Sequence, residues 1–400
     1  MKYELSILIP VFNTVCVQLV SNIRQQALDA GITFEVIVAD DGSTDPQTIE
    51  ANQAINAMDH CRYICRQPNA GRAAIRNFLA REAQYPRLLF IDSHMSVISP
   101  RYLQGYLDAE GEVVYGGYIV GQGDASSLRY RYEKDCEPQH RATERCKRPY
   151  QHFHTCNFTV NRDVMLAYPF DERFRRYGYE DVLFGKRLKQ GGISITHIEN
   201  PVGFNTFEPN QQFLRKTEEA LTTLHDFRDD LRGYSQMLTL AEGIHVRLVR
   251  WLIRLWHRLI GPMERRNLCG RHPNLTIFKL YKIGYYLSIK TKTIMTRRFA
   301  FKMKLKPGFE REYQKRHAAI WPELVEMIKE QGVGNYSIYW DRDTNILFAY
   351  QECSKEGNSQ DTDNVDPITQ RWWDMMADIM EVNPDNSPVT IPLEEVFHLD

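Results

Sequence analysis

The feature that most constrains the fold is an apolar run that ends in chemically active side chains. Residues 88–91 are Leu-Leu-Phe-Ile, and Asp92, Ser93 and His94 follow them. An uninterrupted apolar run of this length predicts a strand buried on both faces of a mostly parallel sheet. Open α/β sheets bind ligands at the carboxyl ends of their strands, so Asp92 and His94 are expected at a ligand site. Together they suit Mn²⁺ better than Mg²⁺, although a polar turn after a buried strand explains them too.

Length and charge distribution indicate how the chain is divided. A chain of 400 residues with 43% hydrophobic residues is too long for one ordinary core, so we expect several domains. The net charge of −1 hides an asymmetry, because Glu264 is the only acidic residue between Gly243 and Phe309. The predicted segments are a domain over 1–240, a basic helical bridge over 241–294 and a second domain over 295–400.

The cysteines and the N-terminus indicate a cytoplasmic protein. The 8 cysteines form no CxxC pair, as expected of reduced intracellular thiols. The first residues run directly into the apolar stretch 5–9 without the layout of a signal peptide, and no apolar stretch is long enough for a transmembrane helix. His152, His154 and Cys156 alternate as on one face of a strand; we interpret this spacing as chance rather than as a metal cluster.

A second predicted strand also ends in acidic residues. Residues 34–39 are apolar except for one glutamate, and Asp40, Asp41 and Gly42 follow. With the strand at 5–9 and a helical stretch between the two, this order implies a parallel βαβ unit. Carboxylates at such a strand end can accept hydrogen bonds from a nucleobase and from ribose hydroxyls, while glycine allows a close backbone turn.

Five motifs then follow one another in a recognisable order. Arg72 ends the third motif and Arg76 lies four residues after it; both can bind phosphates through two parallel hydrogen bonds, although a solvated helix face explains them equally well. The motifs are Ile9-Pro10-Val11-Phe12-Asn13, Asp40-Asp41-Gly42-Ser43, Asn69-Ala70-Gly71-Arg72, Asp92-Ser93-His94 and the stretch from Tyr177 to Gly185. In this order and spacing they resemble a family 2 glycosyltransferase over residues 4–225. The resemblance implies a GT-A fold, a Rossmann-like α/β domain with a mostly parallel sheet.

The same resemblance implies how a nucleotide-sugar donor is held. Asp40 and Asp41 would bind the base and ribose, and Arg72 and Asp92 complete the predicted donor site. Asp92 and His94 would hold a divalent cation, Mn²⁺ or Mg²⁺, that stabilises the charge growing on the leaving diphosphate.

The resemblance also implies a catalytic base. Asp181, with Glu180 beside it, would take the proton of the acceptor hydroxyl in a single, inverting displacement. The chain departs from the family in two respects: most members carry aspartate at the position of His94, and the expected further histidine ligand is missing, with His197 as the nearest candidate. An inactive transferase domain that serves only for membrane or protein binding therefore remains the alternative.

The basic segment contains an amphipathic helical pattern over residues 244–260. One side of this helix carries Leu248, Leu252, Leu255 and Leu259, and another side carries Arg247, Arg250, Arg254 and Arg258. This pattern is typical of a helix in an anionic membrane interface, and equally of a helix packed on the transferase with a solvated basic face. The inner face of a membrane would suit a lipid-linked acceptor, with a free sugar acceptor as the other possibility. Nucleic-acid binding is not expected, since no motif accompanies the charge.

The last hundred residues read as a separate α+β module. Its distinctive strings are Glu312-Tyr313-Gln314-Lys315-Arg316-His317, Ile320-Trp321-Pro322-Glu323-Leu324, Asn335-Tyr336, Gln370-Arg371-Trp372-Trp373 and Asn383-Pro384-Asp385-Asn386-Ser387-Pro388. These strings resemble an L-rhamnose mutarotase over the full length of the segment. The resemblance implies a ferredoxin-like, dimeric αβ barrel that works as a homodimer and needs no metal or other cofactor.

The mutarotase resemblance also assigns a site for L-rhamnose. His317 would be the catalytic acid, while Tyr313, Tyr336, Trp372 and Trp373 would bind the sugar. Anomer exchange requires the ring to open, and a histidine can donate and accept protons at neutral pH. Aromatic faces suit the C–H groups of a sugar. We interpret the hydrophilic loop 354–366 as uninvolved. The whole chain is thus predicted to be a bifunctional fusion of a glycosyltransferase and a mutarotase.

Overall fold

The computed structural model describes residues 3–289, 297–354, 358–360 and 365–398. It consists of two compact units, Met1–Ile289 and Lys290–Asp400. The strands of the first unit are β1 (Glu4–Val11), β2 (Thr33–Asp41), β3 (Cys61–Arg66), β4 (Arg87–Ile91), β5 (Met95–Ser96), β6 (Val113–Tyr115), β7 (Tyr118–Val120), β8 (Asn157–Asn161), β9 (Ile195–His197) and β10 (Val202–Phe204).

Helices of the first unit flank this set of strands. They are α1 (Val17–Asp29), α2 (Pro46–Gln53), α3 (Arg72–Glu82), α4 (Tyr102–Leu107), α5 (Leu128–Cys136), α6 (Ala142–Arg145), α7 (Arg162–Ala167), α8 (Glu180–Gln190), α9 (Asn210–Asp226), α10 (Arg228–Leu231), α11 (Gln236–Gly243), α12 (Arg247–Leu268) and α13 (Leu275–Ser288). Short 3₁₀ helices span Ala54–Ala57 and Glu137–His140.

The main sheet has the strand order β3-β2-β1-β4-β8-β6-β9, and only β8 runs antiparallel to its neighbours. Leu88, Leu89, Phe90 and Ile91 of β4 are completely buried between β1 and β8, as the apolar run predicts. The strands β1, β2 and β4 end at the same edge, so Asp40, Asp41 and Asp92 are gathered there. The predicted α/β fold with a mostly parallel sheet is confirmed.

A smaller sheet lies beyond the end of β4. Its order is β5-β10-β7, and β10 pairs Phe204 with Met95, the residue that follows His94. The ring of His94 therefore meets the edge of Phe204, with 5.7 Å between the ring centroids. This small sheet fixes the chain immediately after the predicted metal-binding residues.

The basic segment packs within the first unit. Phe278 and Tyr281 of α13 share an apolar cluster with Phe213 of α9 and Leu128 of α5. The segment predicted as a bridge thus contributes to the first unit's own core as far as it is described. The predicted boundary at 294/295 lies outside the described residues, and the division into three segments stays a prediction. In the part of the chain that the structure describes, no helix has the length and apolar character to cross a bilayer.

The second unit is a four-stranded antiparallel sheet with helices on one face. Its elements are β11 (Arg297–Lys304), α14 (Glu310–Ala318), α15 (Pro322–Glu330), β12 (Val333–Trp340), β13 (Ile346–Cys353), α16 (Pro367–Met376) and β14 (Ile391–Leu393). The strand order is β12-β13-β11-β14. Leu347 and Ala349 of β13 are buried under the helices, whereas Phe348 between them points to the opposite, exposed face. The predicted α+β ferredoxin-like class is confirmed.

Candidate active sites

Asp40 and Asp41 end β2 as buried carboxylates that already have hydrogen-bond donors. Asp40 accepts from the backbone N–H of Ser43 at 2.7 Å and from the hydroxyl of Tyr63 at 2.5 Å. Asp41 accepts from the backbone N–H groups of residues 70–71 at 3.1 and 2.8 Å. Both predicted donor-binding residues therefore shape the loops at this edge of the sheet, and their binding role stays a prediction.

Gly42 lies where these two loops meet. Its φ is +78°, and a Cβ at this position would approach the backbone nitrogen of Asn69 to 2.7 Å. A larger residue would push the loops apart, because the contact is with backbone atoms rather than with a movable side chain. The glycine thus permits a close turn, although here the neighbour is the loop before α3.

Asp92 and Glu180 lie on either side of the buried guanidinium of Arg76. Arg76 is 2% exposed, donates to Asp92 Oδ1 at 2.7 Å and lies 3.7 Å from Glu180 Oε1. Burial alone would raise the pKa of Asp92, but the charges of Arg76, His94 and Arg72 outweigh it and hold that pKa below its usual value. Asp92 is therefore a carboxylate at neutral pH. Arg76 thus joins two of the predicted site residues to each other.

His94 lies at the same end of β4 as Asp92. Burial lowers the pKa of His94 against the opposing charge of Asp92, and the nearby cations Arg72, Arg129 and Lys216 lower that pKa further. The imidazole is therefore neutral at pH 7, the form that can coordinate a cation. Among the described residues no group of three or more histidine, cysteine or acidic side chains could hold a metal ion. The predicted metal site thus has two protein ligands, and it stays a prediction.

His197 does not supply a third ligand. Arg145 lies 3.0 Å from His197 Nδ1, and the carbonyl oxygen of Pro149 lies 2.9 Å from Nε2. Burial lowers the pKa of His197 to about 4, so the ring is neutral and both nitrogens are used in these contacts. His197 lies near the expected ligand position in the sequence, but its side chain on β9 contacts Arg145 instead.

The acidic pair at 180–181 begins helix α8 after an unusual backbone turn. Gly178 has φ +96°, and Tyr179 has φ +70°, a left-handed conformation that costs a residue with a side chain about 1–3 kcal/mol. Two acids in the first turn interact favourably with the positive end of the helix dipole. Burial and the charge of Asp181 raise the pKa of Glu180. The more exposed Asp181 is therefore the better candidate for a carboxylate that meets an acceptor.

His154, whose spacing from His152 and Cys156 was interpreted as chance, is a functional candidate for a reason that the sequence did not reveal. Its Nδ1 lies 3.1 Å from Asp181 Oδ2, and 43% of its side chain is exposed. Cys156, two residues later, accepts a hydrogen bond from the backbone N–H of Asp92 at 3.1 Å. His154 thus lies at the edge of the sheet that also carries the predicted donor site. No local pattern marks the pairing, since the two partners are 27 positions apart.

The second unit encloses a cavity of about 540 Å³ that all of its predicted site residues line. These residues are Tyr313, His317, Tyr336, Trp372 and Trp373. Apolar side chains such as Leu324 and Met327 line it as well. The arrangement of one histidine among aromatic and aliphatic side chains suits a neutral sugar better than a charged ligand.

His317 has a defined orientation in this cavity. Its Nδ1 lies 3.1 Å from the carbonyl oxygen of Tyr313, so Nδ1 carries the proton and Nε2 is left as the acceptor. The ring stacks on Tyr313 with centroids 4.1 Å apart and meets Trp372 edge to face at 5.4 Å. Burial lowers the pKa of His317, which keeps the imidazole neutral at pH 7.

Part of the loop that was interpreted as uninvolved also lines the cavity. Ser359 and Gln360 are among the lining residues, and Gln360 Nε2 lies 3.4 Å from the Tyr336 hydroxyl. Among the described residues, the buried Oε1 of Gln360 has no hydrogen-bond partner. That interpretation was therefore wrong for these two residues. Residues 355–357 and 361–364 of the same loop lie outside the described part of the chain.

Comparison with known proteins assigns both units. The family model for glycosyl transferase family 2 matches residues 6–168, and the model for L-rhamnose mutarotase matches residues 298–399. An L-rhamnose mutarotase from Phocaeicola vulgatus is 70% identical over 104 residues, which are 26% of this chain and 99% of the relative. The C-terminal unit belongs to the L-rhamnose mutarotase family. A mutarotase from Bacteroides thetaiotaomicron is similar at 67% identity over 104 residues, again 26% of this chain and 99% of the relative.

Solved structures resemble both parts of the chain. The crystal structure of an L-rhamnose mutarotase from Formosa agariphila is 52% identical, covers 26% of this chain and 100% of its own, and has a TM-score of 0.24. A mannosyltransferase from Pyrobaculum calidifontis in complex with GDP-Man and Mn²⁺ is 12% identical, covers 73% of this chain and 88% of its own, and has a TM-score of 0.44.

Both resemblances expected from the sequence are confirmed by the family matches. The chain combines a glycosyltransferase domain of family 2 with an L-rhamnose mutarotase domain, and both are enzyme families.

Proposed function

We propose that the mutarotase domain interconverts the α and β anomers of L-rhamnose with His317 as acid and base. The observation that carries this proposal is the convergence of His317 with Tyr313, Tyr336, Trp372 and Trp373 on one cavity. His317 Nε2, left as an acceptor by the contact of Nδ1, takes the proton of the anomeric hydroxyl. The imidazolium returns that proton to the ring oxygen as the bond between this oxygen and the anomeric carbon breaks, and reclosure on the other face of the aldehyde, by the reverse proton transfers, gives the other anomer.

The aromatic residues hold the sugar during this exchange. Trp372 meets both His317 and Trp321 edge to face, at 5.4 and 5.5 Å between centroids, so its ring is fixed beside the acid–base group. The faces of these rings contact the C–H groups of the pyranose. The C–O bond of the ring breaks and re-forms with the help of proton transfers alone, and we propose that the domain works without a metal or another cofactor.

Saturation-transfer NMR of L-rhamnose tests this proposal on the intact chain. Irradiating the anomeric proton of one anomer should reduce the signal of the other faster in the presence of the protein than in buffer. Heat-denatured protein at the same concentration is the control. If the exchange rate equals that in buffer, His317 and its cavity do not catalyse mutarotation.

For the first unit we propose transfer of a sugar from a nucleotide donor to a sugar or lipid-linked acceptor, with inversion at the anomeric carbon. The charge arrangement supports this role, because Asp92 is held ionised and His94 neutral at the edge where Asp40 and Asp41 end β2. Arg72 opens α3 nearby, with its guanidinium 4.4 Å from the ring centroid of Tyr177. These groups are those needed to bind a ribose and a diphosphate.

A divalent cation fits the donor atoms of this site. Asp92 Oδ1 is bonded to Arg76, so Oδ2 and the neutral imidazole of His94 would hold the ion. A carboxylate with an imidazole suits Mn²⁺, with phosphate oxygens and water as the remaining ligands. The cation would stabilise the negative charge of the leaving diphosphate. The acid–base function on the acceptor side lies at Asp181 and the imidazole of His154 that is paired with it.

Release of nucleoside diphosphate measures this activity. We expect the intact chain with Mn²⁺ to hydrolyse at least one of UDP-glucose, UDP-GlcNAc, GDP-mannose and dTDP-L-rhamnose slowly, and Asp92→Asn or chelation of the metal to abolish the release. Arg81→Met, an exposed change on the same helix as Arg76, is the control. No release from any donor would leave the domain as an inactive binding module.

We propose further that α12 contacts the inner face of an anionic membrane in the cytoplasm. Leu248, Trp251, Trp256 and Leu259 are between 52% and 64% exposed, beside the basic residues of the same helix. The cysteines from Cys16 to Cys269 are free thiols, as expected in a reducing compartment.

Sedimentation with vesicles containing phosphatidylglycerol should pull down the chain, and Trp251→Glu should prevent it. Equal sedimentation with and without anionic lipid would contradict the proposal.

We also propose a homodimer through the mutarotase domain. Tyr339 and Phe348 pair directly across β12 and β13 on the sheet face that the helices leave open, and they are 66% and 38% exposed. An open apolar sheet face of this kind favours burial against a second copy. Sedimentation equilibrium of the intact chain should give twice the chain mass, and Phe348→Lys should shift it toward the monomer. A wild-type monomer would contradict the dimer.

A further inference from the structure

The hydrogen bonds of Asp181 leave its carboxylate partly used before any acceptor arrives. Oδ1 accepts from the backbone N–H of Val182 at 2.8 Å, and Oδ2 pairs with His154 Nδ1 at 3.1 Å. The side chain of His154 is 43% exposed, whereas that of Asp181 is 20% exposed. An entering hydroxyl group therefore has freer access to the imidazole than to the carboxylate behind it.

The contact also decides which nitrogen of His154 is available. A carboxylate accepts hydrogen bonds, so Nδ1 must carry the proton that it donates to Asp181. The lone pair is then on Nε2. A carboxylate that holds an imidazole in this tautomer, so that the other nitrogen takes a hydroxyl proton, is the division of labour known from serine hydrolases.

The position of His154 suits an acceptor that attacks a bound donor. The carbonyl oxygen of Cys156 accepts a hydrogen bond from the backbone N–H of Asp92, so the loop that carries His154 runs beside the end of β4. Tyr118 and His140 lie on another side, with ring centroids 6.2 and 6.3 Å from that of His154. Burial, and after it the charges of His154 and Arg145, lower the pKa of His140 to about 3, so the His140 ring stays neutral beside His154.

We infer that His154 Nε2, rather than Asp181, takes the proton of the acceptor hydroxyl during transfer. The inference rests on the proposed transferase function of this unit. As the hydroxyl proton moves to Nε2, the acceptor oxygen forms its bond to the anomeric carbon of the donor. The bond from that carbon to the diphosphate oxygen breaks, and its electron pair leaves with the nucleoside diphosphate. Asp181 orients the imidazole and stabilises the imidazolium.

Donor hydrolysis by the intact chain tests the assignment, with water as the acceptor. The substrate is whichever of the four nucleotide sugars named above is hydrolysed in the presence of Mn²⁺. In His154→Asn the side-chain amide can still donate to Asp181 but cannot accept a proton as a base. We expect kcat to fall by about 10²- to 10⁴-fold, with the donor KM unchanged. The control is His152→Asn in the same loop, which should hydrolyse as the wild type does.

The possible results distinguish a failure of this inference from a failure of the proposed transferase function. Wild-type hydrolysis that persists unchanged in His154→Asn would overturn the role of His154 while leaving the transferase intact. No hydrolysis of any donor by the wild type would overturn both. Long-range ¹H–¹⁵N correlation of the histidines gives a second test, independent of variants. It should show a proton on Nδ1 of His154, and a proton on Nε2 instead would overturn the assignment.

Discussion

The proposed transferase site is built from buried charges, whereas the proposed mutarotase site is built from aromatic rings around one neutral histidine. In the first, the guanidinium of Arg76 lies between Asp92 and Glu180. In the second, His317 lies between Tyr313 and Trp372, and its polar contact is with the backbone carbonyl of Tyr313. The difference fits the proposed reactions: a leaving diphosphate develops negative charge, whereas ring opening breaks a C–O bond with proton transfer and leaves the sugar neutral.

Removing the acid–base group should have the largest effect. His317→Ala should slow anomer exchange by about 10²- to 10⁴-fold, because the described lining of the cavity contains no second histidine that could take over the proton transfer. The measurement is saturation-transfer NMR of L-rhamnose. Lys315→Ala, on the exposed side of the same helix, should keep the wild-type rate. Exchange that survives in His317→Ala would move the catalytic role to another residue.

Removing a charge from the transferase site should instead reduce stability. Arg76→Met leaves the carboxylates of Asp92 and Glu180 without their buried partner, and we expect a loss of about 3–5 kcal/mol in the free energy of unfolding of the first unit. Urea titration followed by circular dichroism measures the loss, and anomer exchange reports separately that the second unit is folded.

Arg81→Met provides the matched control for this substitution. Arg81 lies on the same helix as Arg76, but its side chain is 57% exposed and 3.9 Å from Glu172. A surface pair of this kind contributes about 0–1 kcal/mol. Equal losses from the two variants would show that the charge network of Arg76 is not special.

Loss of one hydroxyl group sharpens the contrast on a smaller scale. Tyr63→Phe removes the hydrogen bond to buried Asp40 and should cost the first unit about 1–3 kcal/mol. Tyr336→Phe removes a hydroxyl whose partner Gln360 is 3.4 Å away, so we expect a change within about 0.5 kcal/mol and a weaker affinity for the sugar. Denaturant unfolding of both variants measures the change in stability, and titration of Tyr336→Phe with L-rhamnose measures the change in affinity. A larger stability loss for Tyr336→Phe would reverse the comparison.

How far the sequence predicts each region depends on the range of the interactions. The strand at 88–91 and the cavity residues could be predicted, because an apolar run and a specific motif are local signals. The pairing of His154 with Asp181 could not, since it joins a loop to a helix 27 positions away. The contact between His197 and Arg145 could not be predicted either, because it depends on which way the side chain of His197 points from β9 in the folded sheet. In both cases the residue types were visible, but their partners were not.

The smallest expected effect concerns the response of the mutarotase site to pH. His317 must be neutral to take a proton, and burial lowers the pKa of His317 below the ordinary value near 6.5. The exchange rate, corrected for buffer catalysis, should therefore change by less than about twofold between pH 8 and 6.5 and fall only in more acidic solution.

The same pKa shift fixes the sign of the stability change. Because the unfolded chain protonates this histidine more readily than the folded chain does, the second unit should also lose stability as the pH falls below about 6.5. Rate and unfolding free energy measured from pH 8 to 5 test both expectations, with His317→Gln as the control that lacks the titrating group. A rate that already halves at or above pH 6.5 would mean that the cavity does not disfavour the imidazolium. The aromatic site would then share with the transferase site a stabilised charge, and the contrast between them would fail.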